Sequence, residues 1–393
     1  MGGSVPVGRY RELVNASRAA LRAGCAAFVA FGSTTATFGP ILPGIRRDLH
    51  AGDVASGTFL GLAGGGFGIG VLASAPVQHR WGRQRSFRVG LLSLAVGAVL
   101  VAASPSIVVA TVGAALASFG GGLLGGSVNA AMAGIGTHEL SIANAAFGVG
   151  AIAGPLVTAA LVASGASWRL APLLGGALAC ASLPLERHLP DGRRGEPGGR
   201  AVLPRLLGSR VLLLLVAVMA LQMFGEAGLI GWLPVYLVDV RSAPQWLAAT
   251  STTLFWTGQA VARGALVRTR LAERPMRRVP VLQALIAAAV LAVIVIDGTP
   301  VALLLAFLAG LAAGPVFPLA LSAARDAFPA DLDAATAMLL GIGGLTEMLL
   351  PLGLGAASSA AGTTAAGIAA VATAFAVAAT VAALVWRATA TPG

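Results

Sequence analysis

The stretch ERHLPDGRRGEPGGRAVLPRLLGSR, residues 186–210, is the longest polar segment in the 393-residue chain. Its Gly, Pro and Arg content suits a solvated linker rather than a helix or strand interior. On either side of it the chain is almost continuously apolar. A membrane-crossing helix needs about 20 such residues, because each adds ~1.5 Å against a ~30 Å hydrocarbon core. Six segments of that kind precede the linker, at 23–43, 54–75, 87–103, 107–132, 141–164 and 168–185. Six more follow it, at 211–238, 245–267, 280–297, 301–324, 334–358 and 364–386. The fold expected is an all-α integral membrane protein of twelve transmembrane helices in two six-helix lobes.

The two halves echo each other. FGGGLLGGS (119–127) in the fourth segment answers GLAAGPVFP (310–318) in the tenth. GVGAIAGPL (148–156) in the fifth answers GIGGLTEMLLPLG (341–353) in the eleventh. Each pair is offset by about half the chain, as a duplicated six-helix unit requires. The organisation expected is an N-terminal arm (1–22), an N-terminal lobe (23–185), the linker (186–210), a C-terminal lobe (211–386) and a tail (387–393). The arginines before the first segment resemble a signal peptide's, but eleven further spans favour an uncleaved helix.

Composition agrees. Hydrophobic residues make up 57% and charged residues 10%, and mean hydropathy is +0.86. A soluble domain carries roughly 25% charged residues, so a cytosolic enzyme, a nucleic-acid-binding protein and a disordered scaffold are excluded. The net charge is +11, and all 26 basic residues are arginine. Twenty-one of them fall on one side if the N-terminus is placed inside; Arg46, Arg47, Arg169 and Arg241 fall on the other, and Arg263 lies within a span. Positive charge marks the cytoplasmic side. Both ends and the linker are therefore expected inside, in the inner or plasma membrane of a bacterium. Cys25 and Cys180 lie in apolar runs and form no metal pair. His50, His79, His138 and His188 are scattered in expected loops, so neither a metal site nor a catalytic constellation is expected. A phosphate-binding loop is excluded because the chain has no lysine. No cofactor is expected; a proton gradient is the expected driving force.

The basic 2–3 loop, APVQHRWGRQRSF (75–87), resembles the G-x-L-a-D-r-x-G-r-r signature of the major facilitator superfamily. Arg80, Gly82, Arg83 and Arg85 match, while His79 takes the acidic position and Ala75 the leading glycine. Further strings resemble that superfamily's fucose-permease-like branch: GGGLLGGSVNAAM (120–132), NAAFGVGAIAGPL (144–156) with SWR (167–169), FGEAGLIGWLPVYL (224–237), FWTGQAVAR (255–263) and GPVFP (314–318). Asn144 stands at that branch's histidine position, and Ala262 replaces a glycine. The resemblance implies a monomeric secondary transporter working by alternating access, taking up a sugar-like hydroxylated solute with protons. GAIAGP (150–155) also resembles the first half of the drug–proton antiporter signature G-x-x-x-G-P-x-x-G-G. Thr158 and Ala159 replace its closing glycines, and Leu116 sits where those antiporters carry an arginine. Proton-coupled export of a drug or secondary metabolite is therefore the alternative. A non-transporting membrane receptor is a further one, against which the Glu226–Gln222 pair argues.

Polar groups inside the apolar runs are the candidate site. An intramembrane carboxylate is costly and marks function by default. Glu226 lies mid-span in the seventh segment, with Gln222 one turn earlier on the same face. It is the first candidate proton carrier; the alternative is a structural hydrogen bond. Glu347, beside Gly343 and Gly344, is a second candidate or an interhelical contact. Arg263 follows Gln259 by one turn and can meet a carboxylate, or snorkel to the nearby surface. Asn129 and Asn144 can both donate and accept, as hydroxylated solutes require, or can join helices. Trp256 is expected to line the pocket, and Trp232 to anchor at the membrane interface. The runs Gly64–Gly66 and Gly120–Gly122 are read as close helix contacts.

Overall fold

The computed structural model describes residues 7–190, 206–268 and 275–390. The helices of the first half are α1 (Val7–Thr35), α2 (Phe38–Asp48), α3 (Asp53–Trp81), α4 (Arg83–Ala102), α5 (Ile107–Ile135), α6 (Thr137–Ala163) and α7 (Leu170–Ser182). A 3-10 turn, Leu183–His188, follows α7. The second half holds α8 (Arg210–Asp239), α9 (Gln245–Arg268), α10 (Pro275–Val295), α11 (Thr299–Ala313), α12 (Val316–Ala327), α13 (Leu332–Thr346), α14 (Leu349–Ala361) and α15 (Ala365–Ala390). No strand occurs among the described residues.

Three pairs, α1–α2, α11–α12 and α13–α14, are single spans broken near the middle, so the helices make the twelve expected spans. Ten stretches among the described residues are long and apolar enough to cross a membrane. The other two spans are α7 with its 3-10 turn, which is short, and α9. In α9 the residues Thr250, Ser251, Thr252, Thr253, Gln259 and Arg263 dilute the apolar run.

Proline explains the breaks. It lacks an N–H and frees the carbonyl four residues earlier. Pro351 frees Glu347, where α13 ends. Pro318 frees Gly314, between α11 and α12. Pro40 frees Ala36, between α1 and α2. At that last break Ser33, Thr34, Thr35 and Thr37 turn their hydroxyls back onto carbonyls three or four residues earlier, a pattern that bends helices.

Consecutive spans alternate direction, which gives the bundle two faces. One carries Arg46, Asp53, Asp239 and Asp297. On it Trp168 Nε1 donates to Asp48 (2.8 Å), and Arg169 donates to the Ala102 (2.9 Å) and Ser104 (2.8 Å) carbonyls. Arg241 pairs with Asp297. The opposite face carries Gly82, the 3-10 turn Leu183–His188 and the start of α8. Here the turn between α3 and α4 is Gly82 alone, at φ 86°, a left-handed conformation that suits glycine. Arg83 donates to the Pro190 carbonyl (3.0 Å) and Gln84 to that of Leu189 (3.0 Å), while Arg88 pairs with Glu186. Arg80 and Arg85 are exposed. Most of the linker, residues 191–205, lies outside the described residues, as do 1–6 of the arm and 391–393 of the tail.

The lobes meet along the Arg46 face. The largest apolar core crosses between them, joining Phe38, Ile41 and Phe59 to Leu229, Trp232 and Leu350. Smaller cores nearer the linker face belong to one lobe each, around Phe28, Phe87 and Met132 and around Leu215, Val279 and Val316. Apolar surface does not drive helices together in lipid; close packing of small residues does. On α3, Gly57, Gly61, Gly64 and Gly68 form one stripe that meets α13 and α14. A Cβ at Gly57 would collide with the Pro351 carbonyl, and one at Gly64 would come 2.8 Å from that of Glu347. The second glycine run packs likewise, Gly120 against α4, Gly121 against Phe31 and Gly122 against α3.

Three expectations are corrected. Trp232 is fully buried, not interfacial, and its indole donates to Ser358 Oγ (3.2 Å), because Gly367 opposite leaves room for the ring. His79 and His138 lie in helices rather than loops, and His188 in the 3-10 turn. The helix of the first span begins at Val7, well before residue 23.

Candidate functional site

A cavity of about 160 Å³ lies between the lobes, lined from α1, α2, α3, α5 and α6 on one side and α8, α9 and the α13–α14 break on the other. Glu226, Glu347 and Trp256 line it. The remaining wall is mostly apolar, with Phe31, Phe38, Phe67 and Phe147 prominent. Prolines within the spans shape it. Pro234 frees the Ile230 carbonyl, which accepts from Thr252 Oγ1 (3.2 Å) and abuts Gly39; Ile230 and Gly39 both line the cavity. The α13–α14 break brings Glu347 to the wall.

Glu226 is held by a chain of amides. Its Oε1 accepts from Gln222 Nε2 (2.6 Å) and Gln259 Nε2 (2.8 Å). Gln222 Oε1 in turn accepts from Gln283 Nε2 (2.8 Å). The three glutamines are 0–2% exposed. The amide directions follow from the carboxylate, which when ionised only accepts. Two acceptors, Gln259 Oε1 and Gln283 Oε1, are left without a partner among the described residues. A protonated Glu226 becomes a donor, and the amides can turn to accept from it. The network therefore has two hydrogen-bonded arrangements, one for each protonation state.

Glu347 differs. No hydrogen bond or ion pair reaches its carboxylate among the described residues, although it lies close enough to Glu226 for their charges to interact. Arg263 donates its Nε to the Gly314 carbonyl (3.2 Å), the group that Pro318 frees. It interacts electrostatically with Glu226 but does not line the cavity. Asn144 donates to Asn129 Oδ1 (3.0 Å) and to the Leu140 carbonyl (2.9 Å), also away from the cavity wall. Arg80, Gly82, Arg83 and Arg85 stand at the linker face, remote from the cavity.

The residues that sequence reading missed are Gln283, the aromatic wall and a clamp between the lobes. Gln283 is the one polar residue in VPVLQALIAAAV (279–290), a visible signal. Phe31, Phe67 and Phe147 look like any apolar residue in a span. In the clamp, Arg46 pairs with Asp53 of its own lobe (2.6 Å) and with Asp239 of the other (3.1 Å). That second pair is a direct hydrogen bond between the lobes.

The sequence profile of the Major Facilitator Superfamily matches residues 23–299, more than half of the chain. No curated protein matches it. Among solved structures, a D-xylose–proton symporter is 16% identical, with 92% of this chain and 96% of that chain covered at a TM-score of 0.73. The D323A mutant of the nucleoside transporter NupG is 14% identical, with 94% and 98% covered at 0.72. A bacterial homolog of the human lysosomal transporter Spinster, inward-facing and occupied, is 14% identical, with 98% of each chain covered at 0.71. At these identities the likeness carries the fold alone.

Proposed function

The chain belongs to the Major Facilitator Superfamily, a family of alternating-access transporters and not of enzymes; on that premise we propose that it is a proton-coupled secondary transporter of a small organic solute, with Glu226 as the proton carrier. The observation that carries this reading is a carboxylate on the wall of the inter-lobe cavity, held by amides that offer partners for both its protonation states. A carboxylate cannot cheaply change charge inside a membrane unless its surroundings rearrange with it, and this network can. Orientation follows from arginine placement: the linker face is cytoplasmic and the Arg46 face external. The lobes are closed at the Arg46 face, so the conformation is not an outward-open one.

Two cargo classes were open, a hydroxylated sugar taken up and a drug or metabolite expelled. The geometry favours the second. A sugar needs several two-way polar partners. Asn129 and Asn144 bond each other instead, and Gln222 and Gln259 are occupied by Glu226. Apart from the Thr35 and Ser118 hydroxyls, the wall that remains is aromatic and apolar with two acids, which suits a compact amphipathic solute carried outward against protons.

Exchange and accumulation in proteoliposomes test the carrier. With monosaccharide and drug panels, wild type accumulates its solute against a gradient when a proton gradient is imposed. Glu226→Gln, which keeps the amide contacts without a titratable proton, is expected to retain solute exchange and lose accumulation at least tenfold. Undiminished accumulation in the variant would move the carrier elsewhere.

A further inference from the structure

We infer that the cargo is a small organic cation, an amine or quaternary ammonium on a compact apolar body, with Glu347 as its counter-ion and the aromatic wall as its cage. This deepens, and rests on, the reading of the cavity as a transport site.

Charge placement is the first argument. The protein carries a net charge of +11, yet no arginine or histidine lines the cavity, while two carboxylates do. The charged groups facing this region are Glu226, Glu347 and, behind the wall, Arg263. Arg263 and the amides Gln222 and Gln259 serve Glu226. Glu347 has neither counter-charge nor hydrogen-bond donor among the described residues. An intramembrane carboxylate with no opposite charge beside it lacks what a cationic cargo would bring.

The second argument is the wall itself. Phe31 and Phe67 stack with centroids 5.7 Å apart, Phe31 meets Phe147 at 5.0 Å, and Phe147 meets Trp256 edge-on at 5.6 Å. These rings form a continuous surface from α1 and α3 through α6 to α9, so both lobes contribute. Aromatic faces attract alkylammonium groups, whose weakly hydrated charge is cheap to bury. An anion is repelled by both acids, and a neutral sugar brings no charge to offset Glu347. The cavity of about 160 Å³ is smaller than the roughly 300–1,000 Å³ of drug-sized pockets, which fits a single ring with one charged nitrogen rather than a polycyclic drug. The two acids interact electrostatically, so a cation held at Glu347 favours the ionised form of Glu226, and cation and proton drive each other out.

The test uses the full-length protein in detergent, titrated calorimetrically with benzyltrimethylammonium at pH 8 and pH 6. Benzyl alcohol and D-xylose are the comparators. Wild type is expected to bind the cation saturably, more weakly at pH 6, and to prefer it to benzyl alcohol. Glu347→Gln is expected to weaken binding at least tenfold. Phe147→Leu, which leaves the acids untouched, is expected to weaken it severalfold and serves if the first variant does not fold. Equal affinity for benzyl alcohol, or unchanged affinity in both variants, overturns the inference. Saturable binding of D-xylose but not of the cation also overturns it, while leaving the transport reading intact. Cation binding that depends on Glu347 but is equally tight at pH 6 and pH 8 supports the cage and counter-ion and removes the competition with protons.

Discussion

At the scale of single residues, the site depends on which polar atoms are satisfied. Gln283 carries nothing to the cavity, yet it fixes Gln222, which fixes Glu226. Gln283→Leu leaves Gln222 Oε1 buried without a donor. An unmet buried acceptor costs about 1–3 kcal/mol, so thermal unfolding in detergent is expected to begin at lower temperature. The pH profile of transport is expected to shift as well, which a loss of stability alone does not produce. Glu226 and Glu347 were legible in the sequence because an acid in a span has few bland explanations. The amides were legible in part: Gln222 and Gln259 by their spacing from Glu226 and Arg263, whereas Gln283 needed its distant helix brought alongside. The aromatic wall was not legible, because a phenylalanine facing a cavity and one facing lipid have the same sequence signal.

At the scale of helices, glycine and proline divide the labour. Proline opens the spans where groups must reach the cavity, as Pro351 does for Glu347 and Pro234 for Ile230. Glycine lets spans of opposite lobes touch and then part. The stripe of Gly57, Gly61, Gly64 and Gly68 makes that contact on α3, and its partner Gly355 would meet the Asp53 carbonyl 2.5 Å away if it carried a Cβ. Gly57→Leu is therefore expected to hold the lobes apart at the Arg46 face. With a single cysteine at Leu60, which lines the cavity, labelling by an external membrane-impermeant maleimide should rise severalfold over the same cysteine in the unmodified background. Equal labelling would mean that the stripe does not set closure. The glycine runs were readable as contact surfaces from sequence, but the partner of each was not. That pairing depends on how two lobes dock, and the repeat pattern carries no such information.

At the scale of the molecule, twelve spans and two lobes followed from apolar length and the central linker, because hydrocarbon thickness leaves few other solutions. The clamp did not follow. Arg46 and Asp239 are 193 positions apart, and an arginine after a first span looks like any loop charge. Arg46 and Asp53 are only 19% and 17% exposed at their side chains, so this cluster is less screened than a surface pair of about 0–1 kcal/mol. Arg46→Ala is expected to favour the outward-open state and so to raise external access to a cysteine at Leu60. Raising ionic strength should have the same sign of effect in wild type and little effect in the variant.

The measurement closest to the central claim is solute-driven proton flux in proteoliposomes loaded with a pH-sensitive dye, comparing wild type with Glu226→Gln. The account predicts that adding a small organic cation on one side moves protons the opposite way in wild type, and that the Glu226→Gln trace is flat. Proton movement of equal size in the variant, or none in wild type with a solute that it demonstrably exchanges, would contradict Glu226 as the carrier that couples the two flows.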